Sequence, residues 1–175
     1  MPGADRSIAS EVRFNVSHDS RMKTVTQDAE KQLDGFIGKF TPAHRSMIRG
    51  VRKELRRRFP SANELAYDNY NFFVIGYCTT ERPSDAFISI AASANGVGIC
   101  FIHGASLPDP KGVLQGSGKQ TRFIHLETAA MLGRPEVKAL LLVASARAKA
   151  PLPSRGRGKL VIRSVSAKQR PRQKP

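Results

Sequence analysis

The sequence predicts an α+β domain in which an antiparallel sheet of five or six strands carries helices on one face, a two-layer sandwich. Three observations lead there. Apolar residues recur at i, i+3, i+4 and i+7 near residues 27–40, and a second amphipathic stretch follows to Phe59. The period then changes to short β-rich runs separated by turn residues over 64–126. A last helical stretch begins at Pro135. Helices before and after a block of closely spaced strands describe an α+β layout, not alternating βαβ units.

Residues 1–25 show no sustained period and read as a disordered leader, with Met22 a candidate start of translation. The domain is expected over 26–165 and a disordered basic tail over 166–175. Thr26 is a candidate cap for the first helix, whose apolar face is Leu33, Phe36, Ile37 and Phe40. Thr41 before Pro42 combines a capping hydroxyl with a proline whose missing N–H costs nothing at a helix start. In that second helix Met47, Val51, Leu55 and Phe59 share one narrow arc. Arg45, Arg49, Arg52, Lys53 and Arg57 fall opposite them, and Pro60 ends the helix.

Strands are expected at Glu64–Asp68, Phe72–Cys78, Ala86–Ala92, Val97–His103 and Arg122–Leu126. The four close successions joining these five runs, with no helix between them, favour an antiparallel meander. Asn95-Gly96 is a hairpin signal, because both residues tolerate positive φ. A helix over about 135–149 presents Val137, Leu140, Leu141 and Ala144 inward, and Lys159–Val165 supplies a possible sixth strand.

The net charge of +15 is segregated. Residues 44–58 hold seven basic side chains against Glu54, and residues 149–175 hold nine with no acid. The other 133 residues balance. No apolar run approaches the roughly 18 residues that span a bilayer, and Met1–Lys23, with no uninterrupted apolar stretch, is not expected to act as a secretory signal. Cys78 and Cys100 sit in apolar runs, as buried thiols do, so the expected compartment is the cytoplasm.

The ordered series Glu64-Leu65-Ala66-Tyr67-Asp68-Asn69-Tyr70-Asn71, Glu81-Arg82-Pro83-Ser84-Asp85, Leu107-Pro108-Asp109-Pro110, Gly116-Ser117-Gly118-Lys119-Gln120, Arg134-Pro135-Glu136-Val137 and the tail Ile162–Arg172 resembles the YdhG-like family, a domain of unknown function. The resemblance covers roughly 25–172. It implies a frataxin-like shape, and a member described as an intracellular iron chaperone. Under that alternative, iron would be held by Glu30, Asp34, Glu64 and Asp68. These acids are interleaved with Lys31 and Lys39 in a strongly basic chain, unlike a frataxin-type acidic ridge. Solvated helix charge is therefore the default, and no cofactor is expected.

Other motifs carry less. Gly112 to Gly118 leaves five residues where a Walker A loop needs four, and Gln120 stands where magnesium requires a hydroxyl. A looser anion nest of Gly116 and Gly118 with Lys119 and Arg122 is conceivable, beside the plainer reading of a flexible turn. Asp68, Asn69 and Tyr70 could line a small-ligand pocket together with that 104–122 loop, although Asx-turn chemistry explains most of their composition. His103, His125, Cys78 and Cys100 lack paired metal-ligand spacing. No nucleophile–base pair stands out, so the expected protein is non-enzymatic. The leading expectation is a polyanion partner, nucleic-acid phosphate above all, contacted by Arg45, Arg49, Arg52, Lys53 and Arg57 of the helix and by Lys168, Arg170 and Arg172 of the tail.

Overall fold

The computed structural model describes residues 7–175, with side chains from Arg21 onward. In chain order the main elements are α1 (Ser7–Gly38), α2 (Pro42–Arg58), β1 (Asn63–Asp68), β2 (Phe73–Cys78), β3 (Ala86–Ser93), β4 (Gly96–Phe101), β5 (Arg122–Leu126), α3 (Pro135–Ala146) and β6 (Leu160–Val165). Three short 3₁₀ turns lie between them, at Pro83–Asp85, Gly104–Ser106 and Ala129–Gly133.

The first helix begins far ahead of the expected start near residue 27. No proline or glycine occurs between Ser7 and Asp34, so nothing in the covalent chain interrupts it. The apolar period that marked the expected start leads to Leu33, the first α1 side chain in the core among the described residues, and not to where the helix itself begins. The part of the expected leader before Ser7 lies outside the described residues. Thr26 is not a cap: its hydroxyl donates to the Met22 carbonyl one turn back, at 2.9 Å. Thr41 does cap α2, accepting from the His44 amide at 3.3 Å with Pro42 beside it.

The sheet is mixed. Strands run β5-β4-β3-β2-β1-β6, and the first five form the expected antiparallel meander. β6 instead pairs parallel to β1, with a register shift between Ala66 and Tyr67, which corrects the purely antiparallel expectation. The physical reason is the connection. A chain segment arriving from a helix and a long link can enter beside β1 in either direction, whereas tight hairpins force antiparallel neighbours. The β3–β4 hairpin is also closed differently. Ser93 pairs with Gly96, so Ala94 and Asn95 make the turn, and positive φ occurs at Gly96 but not at Asn95.

One face of the sheet carries a ladder of paired residues, Ala66, Ile75, Ile90, Ile99 and Ile124, flanked by Phe73 and Tyr77. These pack in one cluster with Leu33, Phe36, Ile37 and Phe40 of the α1 end, Ile48, Val51 and Leu55 of α2, and Leu140 and Leu141 of α3. Phe73 meets Phe36 and Phe40 with ring centroids 6.2 and 6.0 Å away. The other face shows the alternate ladder Leu65, Gly76, Ser89, Cys100 and Phe123. Among the described residues, no helix is long and apolar enough to cross a membrane.

Gly158 fixes the entry into β6: a Cβ there would lie 1.7 Å from the Ala62 carbonyl oxygen, while its own N–H donates to the Pro60 carbonyl at 2.9 Å. Gly158→Ala is expected to lift the start of β6 off β1 and cost about 1–3 kcal/mol, the scale of overpacking a filled site. Urea unfolding measures it, and a stability equal to wild type would refute the docking.

Candidate anion-binding surface

The cations of α2 do not form one solvated face, because acids from neighbouring elements reach several of them. Glu64 lies on β1 facing the helices and is buried, 3% exposed. Arg52 grips it with two bonds, Nε to Oε1 at 3.0 Å and Nη2 to Oε2 at 2.7 Å, and the buried Tyr77 hydroxyl donates to Oε1 at 3.0 Å. The same guanidinium holds Glu30 of α1 with two bonds of 2.8 Å. Burial pulls the Arg52 pKa down, but the hydrogen bonds and charges of Glu30 and Glu64 outweigh it and raise the value. Hydrogen bonding from Arg52 correspondingly lowers Glu30, against the opposing effect of its partial burial.

Arg52 is therefore a structural cation, not a member of an anion-binding face. The reason is helical geometry. Four residues advance the helix by about 40° beyond a full turn, so Arg52 lies close to the arc of Ile48, which the sequence reading had not placed inward. Around Arg52, Arg56 adds a 3.2 Å contact to Glu30, and Arg49 pairs with Asp34 at 3.3 Å. Arg57 and Arg58 share Glu54, at 2.7 and 2.9 Å. Lys53 is exposed and Arg45 half-buried.

A second buried carboxylate stands two pairs further along β1. Asp68 is fully buried and binds Lys39 from the end of α1. It also binds Arg172 from the carboxyl-terminal segment, Nη2 to Oδ1 at 2.9 Å. Arg172 further donates to the carbonyls of Asn69 and Asn71, and its guanidinium lies 5.9 Å from the Phe40 ring centre. Backbone bonds from Ser166 to Asp68 and from Arg170 to Tyr70 hold the segment along the β1–β2 turn. The expected disordered tail is thus docked, and the expected anion-binding Arg172 is 4% exposed. A carboxylate buried on a strand needs a cation, and this segment brings one. Arg170 lies over the Tyr70 ring, 5.6 Å from its centre, and Lys168 is exposed.

The remaining expected residues lie elsewhere. Lys119 and Arg122 belong to the β5 edge, with Arg122 level with Phe101, whereas Asp68 pairs with Phe73 at the other end of β1. Asp68, Asn69 and Tyr70 consequently share no pocket with Gly116 and Gly118; the two groups occupy opposite corners of the sheet. Within the glycine loop, contacts are internal. Arg122 donates to the carbonyls of Gly118 and Thr121, and the amides of Val113 and Leu114 already donate to the Asp109 carboxylate, at 3.0 and 2.8 Å.

The acids weighed for iron are each bound to cations: Glu30 and Glu64 to Arg52, Asp34 to Arg49, and Asp68 to Lys39 and Arg172. Among the described residues, no group of three or more His, Cys, Asp or Glu side chains is placed to hold a metal ion. Cys78 and Cys100 are free thiols, and burial raises both pKa values, that of Cys78 to about 12.

What the structure does bring together is the outer edge of α2 and the second basic segment. Arg49, Lys53, Arg56 and Arg57 border one concavity with Arg157, above Arg52 and beside Glu30 and Asp34. Arg157 was not singled out beforehand; only its place in a long acid-free stretch hinted at it. Compared with protein-family models, curated proteins and solved structures, the chain matches none of them.

Arg172→Ala is expected to cost about 3 kcal/mol in urea unfolding, since it leaves Asp68 buried with Lys39 alone, whereas Asp68→Asn combined with Arg172→Met should cost less than the two single changes added. Strict additivity would refute the pairing. Glu54 supplies a pH signature. The Arg57 hydrogen bond, reinforced by Arg58 against a small burial effect, holds its carboxyl near about 2, below an ordinary value of 4.5. The depressed folded-state value means its stabilisation is complete above pH 4.5 and is lost as pH falls from there through about 2. The stability gap between wild type and Glu54→Gln should therefore be constant near neutrality and close in acid; a gap independent of pH would contradict the pairing.

Proposed function

We propose that this protein is a non-enzymatic binding domain that contacts a polyanion, nucleic-acid phosphate being the simplest, through the concavity between α2 and the segment around Arg157. The observation that carries the reading is the meeting of the two basic segments: five cations border that concavity above Arg52, against the two carboxylates Glu30 and Asp34. Arg52 and Glu30 form the floor, Arg56 reaches the same Glu30, and Arg49, Lys53 and Arg57 stand exposed around it. Arg45 extends the same helix, and Lys168 and Arg170 add field without being part of the cleft. Binding of this kind is driven by counterion release and carries little sequence selectivity. The same reading takes the domain as a two-layer, YdhG-like sandwich working in the cytoplasm, where free thiols such as Cys78 and Cys100 persist.

Gel-shift titration with a short duplex across about 50–300 mM salt tests it. Lys53→Glu with Arg157→Glu is expected to weaken binding at least about tenfold and flatten the salt slope by about two. Lys119→Glu, at the far edge of the sheet, should change little. Equal loss from both variants, or no binding at the lowest salt, would reject the cleft.

A further inference from the structure

We propose a second binding site, separate from the basic concavity, that takes a small carboxylate with an apolar body, such as a medium-chain fatty acid or an arylalkanoate. The site is a cavity of about 370 Å³ where the ends of β4 and α3 meet the start of the 104–122 loop. Its floor is core: Phe87 of β3, Phe101 at the end of β4, Leu107 and Ala144, each at most 9% exposed. Its rim is cationic and polar, with Arg147, Lys149 and His103 around it, and no Asp or Glu lines it. An apolar floor with a few convergent polar groups is the usual composition of a small-molecule site, and this volume is at the small end of that range.

The rim is built, not incidental. Arg147 follows the last turn of α3, and its Nη1 donates to the Ser106 carbonyl at 2.7 Å, which fixes the guanidinium across the mouth and ties α3 to the 3₁₀ turn at Gly104–Ser106. One of five donors is used in that bond, and the others are available to a carboxylate. The Gln120 amide nitrogen lies 2.6 Å from His103 Nδ1 and holds the ring at the rim. Lys149 adds an exposed ammonium. Cations just beyond a helix carboxyl end also complement its dipole. That role needs no apolar cavity beneath them, and it would leave a neutral or cationic ligand as welcome as an anion.

The test titrates the full chain with sodium octanoate, 1-octanol and octylamine, following methyl resonances of Ala144 and Leu107 by NMR. Octanoate is expected to saturate and to shift these methyls. Arg147→Ala with Lys149→Glu should weaken it at least about tenfold, the scale of one lost charge-assisted hydrogen bond. Ala144→Phe should abolish binding by filling the cavity while the thermal transition stays cooperative. Because Arg147 also holds Ser106, Lys149→Glu alone is measured as well and should weaken binding without moving the unfolding midpoint. Equal affinity for octanoate and octylamine, indifference to both rim variants, or shifts at the Val74 and Ala91 methyls on the other sheet face in place of Ala144 would overturn the proposal. Duplex binding should be untouched by Ala144→Phe, so the two sites fail or stand separately.

Discussion

Two carboxylates buried on the helix-facing side of β1 govern the assembly. Glu64 and Asp68 sit at i and i+4 on a strand, hence on one face, with Ala66 between them, and that face is the core. An unpaired carboxylate there would cost several kcal/mol, so each is matched by a cation from a different part of the chain. Arg52 brings α2, and through Glu30 it brings α1. Lys39 brings the end of α1, and Arg172 brings the last residues of the chain. One strand thereby ties both amino-terminal helices and the carboxyl terminus together. Buried ion pairs add modest net stability compared with apolar packing, but breaking one is costly, so they define which segments go where.

The same pairing changes how the charge is to be understood. A chain of net +15 invites the view that every arginine of a basic helix awaits an anion. Yet Arg52 and Arg172, the most buried of them, are already neutralised, and Arg57 and Arg58 share Glu54. Lys53 and Arg157 border the concavity beside α2, and Arg147 and Lys149 rim the cavity beyond α3. A polyanion and a small amphipathic acid would thus meet different chemistry: the first a polar cleft floored by an ion-pair network, the second a greasy hole with a charged lip.

Most elements were legible because local physics sets them. All five meander strands and the later helix fall within a residue or three of their expected bounds, since alternation, turn residues and proline placement act over short stretches. The amino-terminal helix was missed where its residues carry no apolar period, and the parallel pairing of β6 was missed because a long connection leaves direction open. Arg49, Lys53 and Arg57 are exposed on the side of α2 opposite its apolar arc, as their helical spacing suggested, while the neighbours that Arg157, Arg147 and Lys149 acquire follow from tertiary proximity.

Composition and periodicity are properties of the chain, and they set the α+β class, the strand block and the location of charge along it. Which charges neutralise one another follows from how the elements pack. Pairing joins residues as far apart as Asp68 and Arg172, and no local spacing encodes which carboxylate will be buried beside which guanidinium.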